Sequence, residues 1–220
     1  MSSVINTNHS HKRVLRARLK SFLRQIPQTE INNQSAAVLE ALKPLLADYK
    51  HIACFMSMDR GEVVTTPILK WLFQAGKTVY LPRCTSTDAS GHINLRNTGK
   101  PHPHLTFHRM RSYAAVESLR PQGKYQLREP LLEIPHPLPP KLDVILVPGV
   151  AFSPQNGARM GHGAGFYDDF IHRTLHHHAQ KPLLVGLALQ QQLVQDIPME
   201  QHDNCMDAVV SGDGSIHWVS

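Results

Sequence analysis

The stretch LDVILVPGVAFSPQNGARMGHGAGFYDD, residues 142–169, decides the fold. Its first six residues are mainly apolar, which is typical of a strand buried on both faces of a sheet, and a Pro-Gly pair ends that strand. A glycine-rich turn at residues 161–165 stands directly before the apolar spacing of a helix, which we predict over residues 166–175. The stretch therefore predicts a buried strand, a loop and a glycine-rich turn that leads into a helix.

Helices and strands alternate along the rest of the chain. Apolar patterns predict helices over residues 12–25, 30–46 and 67–75, and strands over residues 51–58, 78–81, 183–189 and 208–210. The glycines and prolines of residues 82–140 indicate loops and short edge strands. This alternation predicts an α/β fold, a single three-layer domain over residues 1–220 with a mostly parallel central sheet flanked by helices. In such a sheet we expect ligands at the carboxyl ends of the strands.

The composition limits the class of protein. Hydrophobic residues make up 41% and charged residues 18% of the 220 residues, as is usual for a globular domain. We find neither an apolar signal segment nor a run long enough to span a membrane, and we therefore expect a cytoplasmic protein without membrane partners. Cys54, Cys84 and Cys205 are far apart and odd in number, which argues against a disulfide framework.

The formal net charge of +6 is compatible with two classes of partner, nucleic acid and a small anionic ligand. Basic residues are spread along the chain with one cluster between residues 12 and 20, so we expect no nucleic-acid partner. The chain has 15 histidines, and the groups at residues 102–108 and 176–178 invite a zinc interpretation. No His-Glu-x-x-His spacing or cysteine pair accompanies them, which favours solvated histidines.

Three glycines at alternate positions, Gly161, Gly163 and Gly165, make residues 159–168 the best candidate for an anion site. Glycine has no side chain to block a ligand, so successive backbone N–H groups can converge on phosphate oxygens beside a helix N-terminus. The spacing matches neither the P-loop nor the dinucleotide-binding fingerprint. On the glycines alone, the turn could equally serve to pack the helix closely against the sheet.

The wider pattern resembles a known family. The buried strand ending in proline, the Ala-Phe pair at residues 151–152 and Arg-x-Gly-x-Gly-x-Gly-aromatic-Tyr-Asp at residues 159–168 resemble the signature of the 5-formyltetrahydrofolate cyclo-ligases, also called methenyltetrahydrofolate synthetases. Shorter pieces follow the expected order: KRVLR at residues 12–16, FMSM at residues 55–58 and an Ile-Pro pair at residues 197–198. The resemblance spans nearly the whole chain.

The resemblance implies a site for ATP and Mg²⁺. Lys12 and Arg16 are four residues apart and so share one face of a helix, from which they would reach the ATP phosphates. Mg²⁺ takes one or two carboxylates in such sites, and the resemblance implies Asp168 and Asp203. Arg159 and Lys12 are implied as catalytic residues. The implied ATP-binding set is Lys12, Arg16, Arg159, Gly161, His162, Gly163, Ala164, Gly165, Phe166 and Tyr167.

On the substrate side, the resemblance implies that Met56, Glu62 and Phe166 contact a reduced folate. The Glu62 carboxylate would accept paired hydrogen bonds from the aminopyrimidine edge of the pterin ring. Met56 could also be an ordinary core methionine. The Glu129-Pro130 pair and Tyr125 could border either ligand, and they receive no assignment.

Three departures and alternatives stay open around the loop. Some relatives carry extra basic residues where this chain has His162 and Ala164, which lowers the positive charge of the loop, although a protonated His162 could assist a phosphate. Asp169 could serve as a helix-capping acid beside Asp168. Asp207 is close enough in sequence to exchange roles with Asp203.

The implied reaction is the conversion of 5-formyltetrahydrofolate to 5,10-methenyltetrahydrofolate with hydrolysis of ATP to ADP and phosphate. Such chemistry requires positioning and charge neutralisation rather than a covalent nucleophile. We expect a monomer. Two other functions remain open at this stage, a sugar-phosphate-binding α/β enzyme that does not turn over ATP and a basic nucleic-acid-binding module.

Overall fold

A computed structural model describes residues 2–58, 61–86, 103–123, 126–131, 139–177, 181–200 and 203–219. In chain order its helices are α1 (Ser2–Leu23), α2 (Gln28–Leu45), α3 (Thr66–Gln74), α4 (Tyr113–Glu117) and α5 (Phe166–His177), with a 3-10 turn at Gln190–Gln192. The strands are β1 (His51–Ala53), β2 (Thr78–Ser86), β3 (Pro103–Arg109), β4 (Pro121–Gln122), β5 (Leu127–Arg128), β6 (Val144–Val147), β7 (Ala151–Phe152), β8 (Arg159–Met160), β9 (Leu183–Ala188), β10 (Ala208–Ser211) and β11 (Ile216–Trp218).

Seven strands form one central sheet in the order β11-β10-β9-β6-β1-β2-β3. The five inner strands run parallel to one another, and the two edge strands, β3 and β11, are antiparallel to their neighbours. Ile52 of β1 lies opposite Val79 on one side and Val144 on the other. The prediction of a mostly parallel sheet is confirmed.

Both faces of the sheet are buried under helices. In β6, Val144 and Leu146 belong to a core that contains residues of α2, α3 and α4, whereas Ile145 and Val147 belong to a second core. That second core contains residues of α5 and β3. Because alternate residues of a strand point to opposite faces, β6 needs apolar residues at every position. This arrangement confirms the predicted three layers.

A third, smaller apolar cluster attaches α1 to the rest of the molecule. Leu23 packs there with residues of the β7–β8 hairpin and with Ile197, and Leu15 and Leu19 are half-buried against the cluster. The steps between these three leucines are those of one helix face. The cluster therefore holds α1 beside the loop that follows β8. The helix also extends further than predicted, from Ser2, through a segment without proline or glycine.

Two predicted strand boundaries are wrong. β1 ends at Ala53 rather than at residue 58, because the following backbone is bonded to side chains instead of a strand: Ser57 N donates to Thr65 Oγ1 at 2.9 Å and Met58 N to the Glu62 carboxylate at 3.1 Å. β2 continues through Pro82 to Ser86. Its partner there is the antiparallel edge strand β3, which lies in the segment where the sequence predicted short edge strands without locating them.

Several predictions concern residues outside the described ranges. They include His102, Tyr125 and His178. The strand β11, which pairs with β10, was also missing from the predictions. Within the described part of the chain, no helix is both long enough and apolar enough to cross a membrane.

Candidate active site

The glycine loop lies at the carboxyl end of β6, as the sheet architecture predicts. The chain leaves β6 through Pro148 and forms the β7–β8 hairpin, in which Phe152 lies opposite Arg159. This pairing returns Arg159 to the strand end, where its Nη1 donates to the Pro148 carbonyl at 3.2 Å. The hairpin thus positions Arg159 and the loop that follows it.

Two loop residues have backbone conformations that favour glycine. Gly163 and Gly165 have φ values of +109° and +72°, in the region where a side chain would strain the backbone. Gly163 also lies close to α1, since a Cβ atom placed on it would stand 3.6 Å from the Arg16 guanidinium carbon. The alternating glycines therefore serve a loop geometry that other residues would disfavour.

Arg159 and Asp168 form a buried ion pair at the two ends of the loop. Arg159 Nη2 lies 2.7 Å from Asp168 Oδ2, and both residues are less than a tenth exposed. Asn204 N donates to the other carboxylate oxygen at 3.1 Å. Burial alone would raise the pKa of Asp168, but the Arg159 charge and the Asn204 hydrogen bonds outweigh it and hold the pKa below its ordinary value. Asp168 is therefore an anion at neutral pH.

Helix α1 adds two cations beside the loop. Arg16 Nε donates to the Gly161 carbonyl at 2.9 Å, and burial lowers the pKa of Arg16 although the charges of Asp203 and Glu200 oppose the shift. Lys12, only 6% exposed, forms ion pairs with Asp203 and, at 3.1 Å, with Glu200. The spacing of four residues thus brings both cations to the site.

The structure separates the acids that the sequence left interchangeable. Asp203 lies beside Lys12, one residue from the Asn204 that bonds to Asp168. Asp207 lies at the amino end of β9, where its carboxylate accepts from Leu184 N at 2.8 Å and pairs with Lys181 at 2.7 Å. The geometry therefore favours Asp203 for a role at the glycine loop.

Asp169 has a structural partner of its own. Its carboxylate accepts from Arg173 Nε at 2.9 Å, and both side chains are buried. Arg173 also donates to the Leu105 carbonyl on β3 at 2.6 Å. This ion pair fastens α5 to the sheet edge rather than facing the glycine loop.

A cavity of about 330 Å³ opens next to the loop. Ten of the residues predicted for the site line it: Met56, Glu62, Arg159, Gly161, His162, Ala164, Gly165, Phe166, Tyr167 and Asp168. Four predicted site residues do not line the cavity: Lys12, Arg16, Gly163 and Asp203. The contacts described above place them next to it. The cavity has the volume and the mainly apolar wall of a small-molecule site.

Glu62 and His162 both line the cavity and contact each other there. His162 Nε2 lies 3.2 Å from Glu62 Oε1, and Glu62 Oε2 accepts from Met58 N at 3.1 Å. Met56 belongs to the core that contains residues of α2, α3 and α4, and it also lines the cavity. It can therefore be both a core methionine and a residue that contacts the folate. Burial raises the pKa of Tyr167 well above its ordinary value, so this phenol is neutral.

One side of the cavity is formed by residues to which the sequence assigned no role, although it named Glu129 as a possible neighbour of a ligand. They are Cys84 of β2, Leu105 of β3, Leu127 and Arg128 of β5, and Glu129 directly after β5. Burial and the neighbouring Glu129 raise the pKa of Cys84 to about 12, so it remains a thiol. The mixed glycine and proline content of residues 82–140 gave no periodic signal that would have assigned these residues.

Among the described residues, no three or more His, Cys, Asp or Glu side chains are grouped so that they could hold a metal ion by themselves. The expectation of solvated histidines is wrong for His104 and His108, which are 0% and 8% exposed because they lie on the covered strand β3. Mg²⁺ needs fewer protein ligands, since it commonly binds one or two carboxylates and completes its coordination shell with water and phosphate oxygens. Asp168 and Asp203 meet that demand in number and type.

The comparisons with known proteins agree on one family. The model of the 5-formyltetrahydrofolate cyclo-ligase family matches residues 8–212. A Saccharomyces cerevisiae protein named 5-formyltetrahydrofolate cyclo-ligase is 50% identical over 210 residues, which cover 94% of this chain and 98% of the relative. The Mus musculus protein of the same name is 31% identical, with 94% and 96% covered.

The fold also matches that of solved structures. The structure of an Aquifex aeolicus 5,10-methenyltetrahydrofolate synthetase superposes with a TM-score of 0.69 at 24% identity, covering 94% of this chain and 92% of that one. A Mycoplasma pneumoniae 5,10-methenyltetrahydrofolate synthetase gives a TM-score of 0.59. With the sequence relatives and the glycine loop described above, these matches lead to one conclusion: the chain belongs to the 5-formyltetrahydrofolate cyclo-ligase family.

Proposed function

We propose that this protein converts 5-formyltetrahydrofolate to 5,10-methenyltetrahydrofolate and hydrolyses ATP to ADP and phosphate in the process. Membership of the family and the names of its relatives support the reaction. The structural observation that carries the proposal is the single cavity in which an apolar wall and the Glu62 carboxylate adjoin the Arg159 glycine loop. A ring system with N–H donors and a phosphate chain can thus lie side by side.

The difficulty of the reaction lies in the formyl oxygen, which is a poor leaving group. We propose that this oxygen attacks the γ-phosphorus of ATP, so that an O–P bond forms while the bond to the bridging oxygen of ADP breaks. The folate N10 then attacks the activated formyl carbon and loses its proton. As the C–N bond closes the ring, the C–O bond breaks and inorganic phosphate leaves.

The protein supplies positive charge where the phosphoryl group moves. Arg159 has a planar, permanently charged fork that can bind two phosphate oxygens at once. Lys12 and Arg16 approach the same loop from α1 and would bind the remaining phosphates. Loop N–H groups from Gly161 to Tyr167 complete this cradle in the proposal. Preorganised donors of this type stabilise charge that develops in a transition state.

Asp168 and Asp203 are the residues that would hold Mg²⁺. When bound, the ion would neutralise charge on the β- and γ-phosphates. In the structure, each carboxylate is paired with a cation that we assign to phosphate, Asp168 with Arg159 and Asp203 with Lys12. These pairs hold both acids near the loop, and the Arg159 charge helps to keep the pKa of Asp168 below its ordinary value, as suits a ligand for a hard cation.

The folate would occupy the cavity wall opposite the phosphates. Glu62 is buried and its carboxylate faces the cavity, where it can accept hydrogen bonds from the aminopyrimidine edge. Met56 and Phe166 would contact the flat ring through apolar atoms. Glu62→Gln is a direct test of this assignment, because it should raise the KM for 5-formyltetrahydrofolate more than the KM for ATP.

An isotope transfer experiment tests the phosphorylation step. The enzyme is given 5-formyltetrahydrofolate that carries a heavy oxygen isotope in its formyl group, together with ATP and Mg²⁺, and the inorganic phosphate is analysed by mass spectrometry. If the formyl oxygen accepts the phosphoryl group, one labelled oxygen appears in each phosphate released. Unlabelled phosphate, with label found in water, would rule out this route.

A further inference from the structure

Besides Glu62 and Asp168, a third buried carboxylate, Glu129, lines the cavity. Glu129 follows β5, is 7% exposed and lines the cavity together with Leu127 and Arg128. Glu62, the acid assigned to the folate, is 6% exposed. The two acids are therefore buried to the same degree in the wall of one site.

The surrounding backbone fixes the position of Glu129. Its Oε1 accepts from Cys84 N on β2 at 2.7 Å, and its carbonyl accepts from Gln122 Nε2 at 2.7 Å. The Arg83 guanidinium donates to the next carbonyl, that of Pro130. These bonds tie the residue to β2 and to the β4–β5 hairpin, so the carboxylate has little freedom to turn away from the cavity.

Glu129, like Glu62, has acceptor capacity left over for a ligand. A carboxylate offers about four acceptor sites, and in the described part of the chain the backbone N–H and the thiol of Cys84 reach Glu129. Glu62 accepts at Oε1 from His162 and at Oε2 from Met58 N. Because a buried carboxylate is costly without partners, the remaining acceptor sites of Glu129 suit donors on a ligand.

The chemistry of the wall indicates which part of a ligand meets Glu129. Close to the Glu62 and Glu129 carboxylates, phosphates and the glutamate carboxylates of a folate are disfavoured, since like charges repel in a desolvated site. The cations that line the cavity, Lys20, Arg128 and Arg159, are the groups that could bind those anions. Phe55, Leu105 and Leu127 supply apolar surface for a flat ring. The reduced pterin ring combines such a surface with N–H donors. It is the part of the substrate that this wall fits.

On the basis of the proposed function, we infer that Glu129 is a second substrate-binding residue, which accepts hydrogen bonds from N–H groups of the reduced pterin ring. Glu62 and Glu129 then hold the ring from two parts of the wall. The sequence named Glu129 as a possible neighbour of a ligand but assigned it no role, because it follows a strand of only two residues.

The Glu129→Gln substitution tests whether Glu129 binds the folate or only stabilises the fold. Glutamine keeps an oxygen that can accept from Cys84 N, but it loses the negative charge and presents an amide donor to the ligand. By titration calorimetry with ADP present, the affinity for 5-formyltetrahydrofolate should fall about tenfold or more, in line with the loss of a charge-assisted hydrogen bond. The affinity for ADP and the thermal unfolding midpoint should remain unchanged. Glu117→Gln, at an exposed position on α4, is the matched control and should change neither affinity.

A shortened ligand identifies the contact. 5-Formyltetrahydropterin lacks the aminobenzoyl-glutamate tail, so Glu129→Gln should weaken its binding by the same factor as that of the complete folate. A loss seen only with the complete folate would overturn the inference, because Glu129 would then act on the tail. A loss of ADP affinity would overturn it as well.

The outcomes distinguish this inference from the proposed function. If the wild-type protein converts 5-formyltetrahydrofolate while Glu129→Gln binds it normally, the inference fails and the function stands. If the folded wild type neither binds nor converts this folate, both fail. Should Glu129→Gln not fold, Glu129→Asp replaces it. Aspartate keeps the charge but withdraws it by one methylene, so folded protein with unchanged folate affinity would contradict the inference.

Discussion

At the scale of single residues, the site is a set of paired charges. Arg159 is bonded to Asp168, and Lys12 to Asp203 and Glu200. The Arg159–Asp168 and Lys12–Asp203 pairs each join a residue proposed for phosphate to one proposed for the metal. Removing one member of a buried pair leaves its partner desolvated and uncompensated. Substitutions at these positions will therefore affect folding as well as turnover, and the two effects must be measured separately.

Comparing Arg159→Lys with Arg159→Ala separates the effect on turnover from the effect on folding. Lysine preserves the charge opposite Asp168 but not the planar fork, so we expect kcat to fall about 100-fold with a nearly unchanged free energy of unfolding. Alanine should lose at least as much activity and also about 3–5 kcal/mol of stability. Steady-state kinetics and urea unfolding measure the two quantities. Nearly normal turnover in Arg159→Ala would refute the role assigned to this arginine.

The lowered pKa of Asp168 gives a pH-dependent prediction. An acid whose pKa is lower in the folded state stabilises the protein above its unfolded-state pKa, about 3.9, and this contribution is lost as the pH falls through the folded-state value. Asp168→Asn should therefore lower the free energy of unfolding at about pH 6, and the difference from wild type should shrink below about pH 4. Urea unfolding across this range measures it. Asp48→Asn, at an exposed position, should show no such trend.

The sequence could assign residue types at the site but not their partners. The loop from Arg159 to Asp168 was predicted from its glycines and its resemblance to the family. Lys12 and Asp203, however, are separated by 191 positions, and no local pattern reports such a contact. Asp203 and Asp207 were interchangeable by spacing, and only the fold directs one to α1 and the other to the amino end of β9.

At the scale of elements, helix α1 places two positively charged side chains at the glycine loop. Its leucines pack on the β7–β8 hairpin, and this contact turns the face with Lys12 and Arg16 toward the glycine loop. The adjacent Arg13 and Arg18 are exposed. The helix thus separates cations that serve the site from cations that face solvent.

Arg16→Met and Arg13→Met test this division. Methionine keeps the length and helix propensity of the side chain while removing its charge. We expect Arg16→Met to weaken ADP binding about tenfold, the loss expected for a charge-assisted hydrogen bond, and Arg13→Met to leave it unchanged. Titration calorimetry gives both values. Equal effects of the two substitutions would mean that only the general field of the helix attracts the nucleotide.

Element boundaries show what sequence patterns leave out. The inner strands β6 and β9 were predicted within one or two residues, because their two buried faces require apolar runs. β1 was predicted too long, since the apolar residues after Ala53 serve the core and the cavity instead of a ladder. β2 was predicted too short, because its second half depends on β3, an antiparallel partner without a clear pattern.

At the scale of the whole molecule, distant parts of the chain meet at one edge of the sheet. The N-terminal helix, the loop after β8, and the C-terminal residues Glu200, Asp203 and Asn204 converge beside the cavity. The α/β alternation predicted this edge as the place for ligands. It did not predict the β4–β5 side of the cavity, which depends on long-range contacts of a short hairpin with β2.

The most direct test of the account is the formation of the methenyl-folate chromophore, followed by absorbance with purified protein. Absorbance should rise when 5-formyltetrahydrofolate, ATP and Mg²⁺ are all present and should not rise when any one is omitted. One ADP should be released for each methenyl product. A folded protein that forms no chromophore with all three components would contradict the central claim and leave a phosphate-binding α/β protein with another substrate.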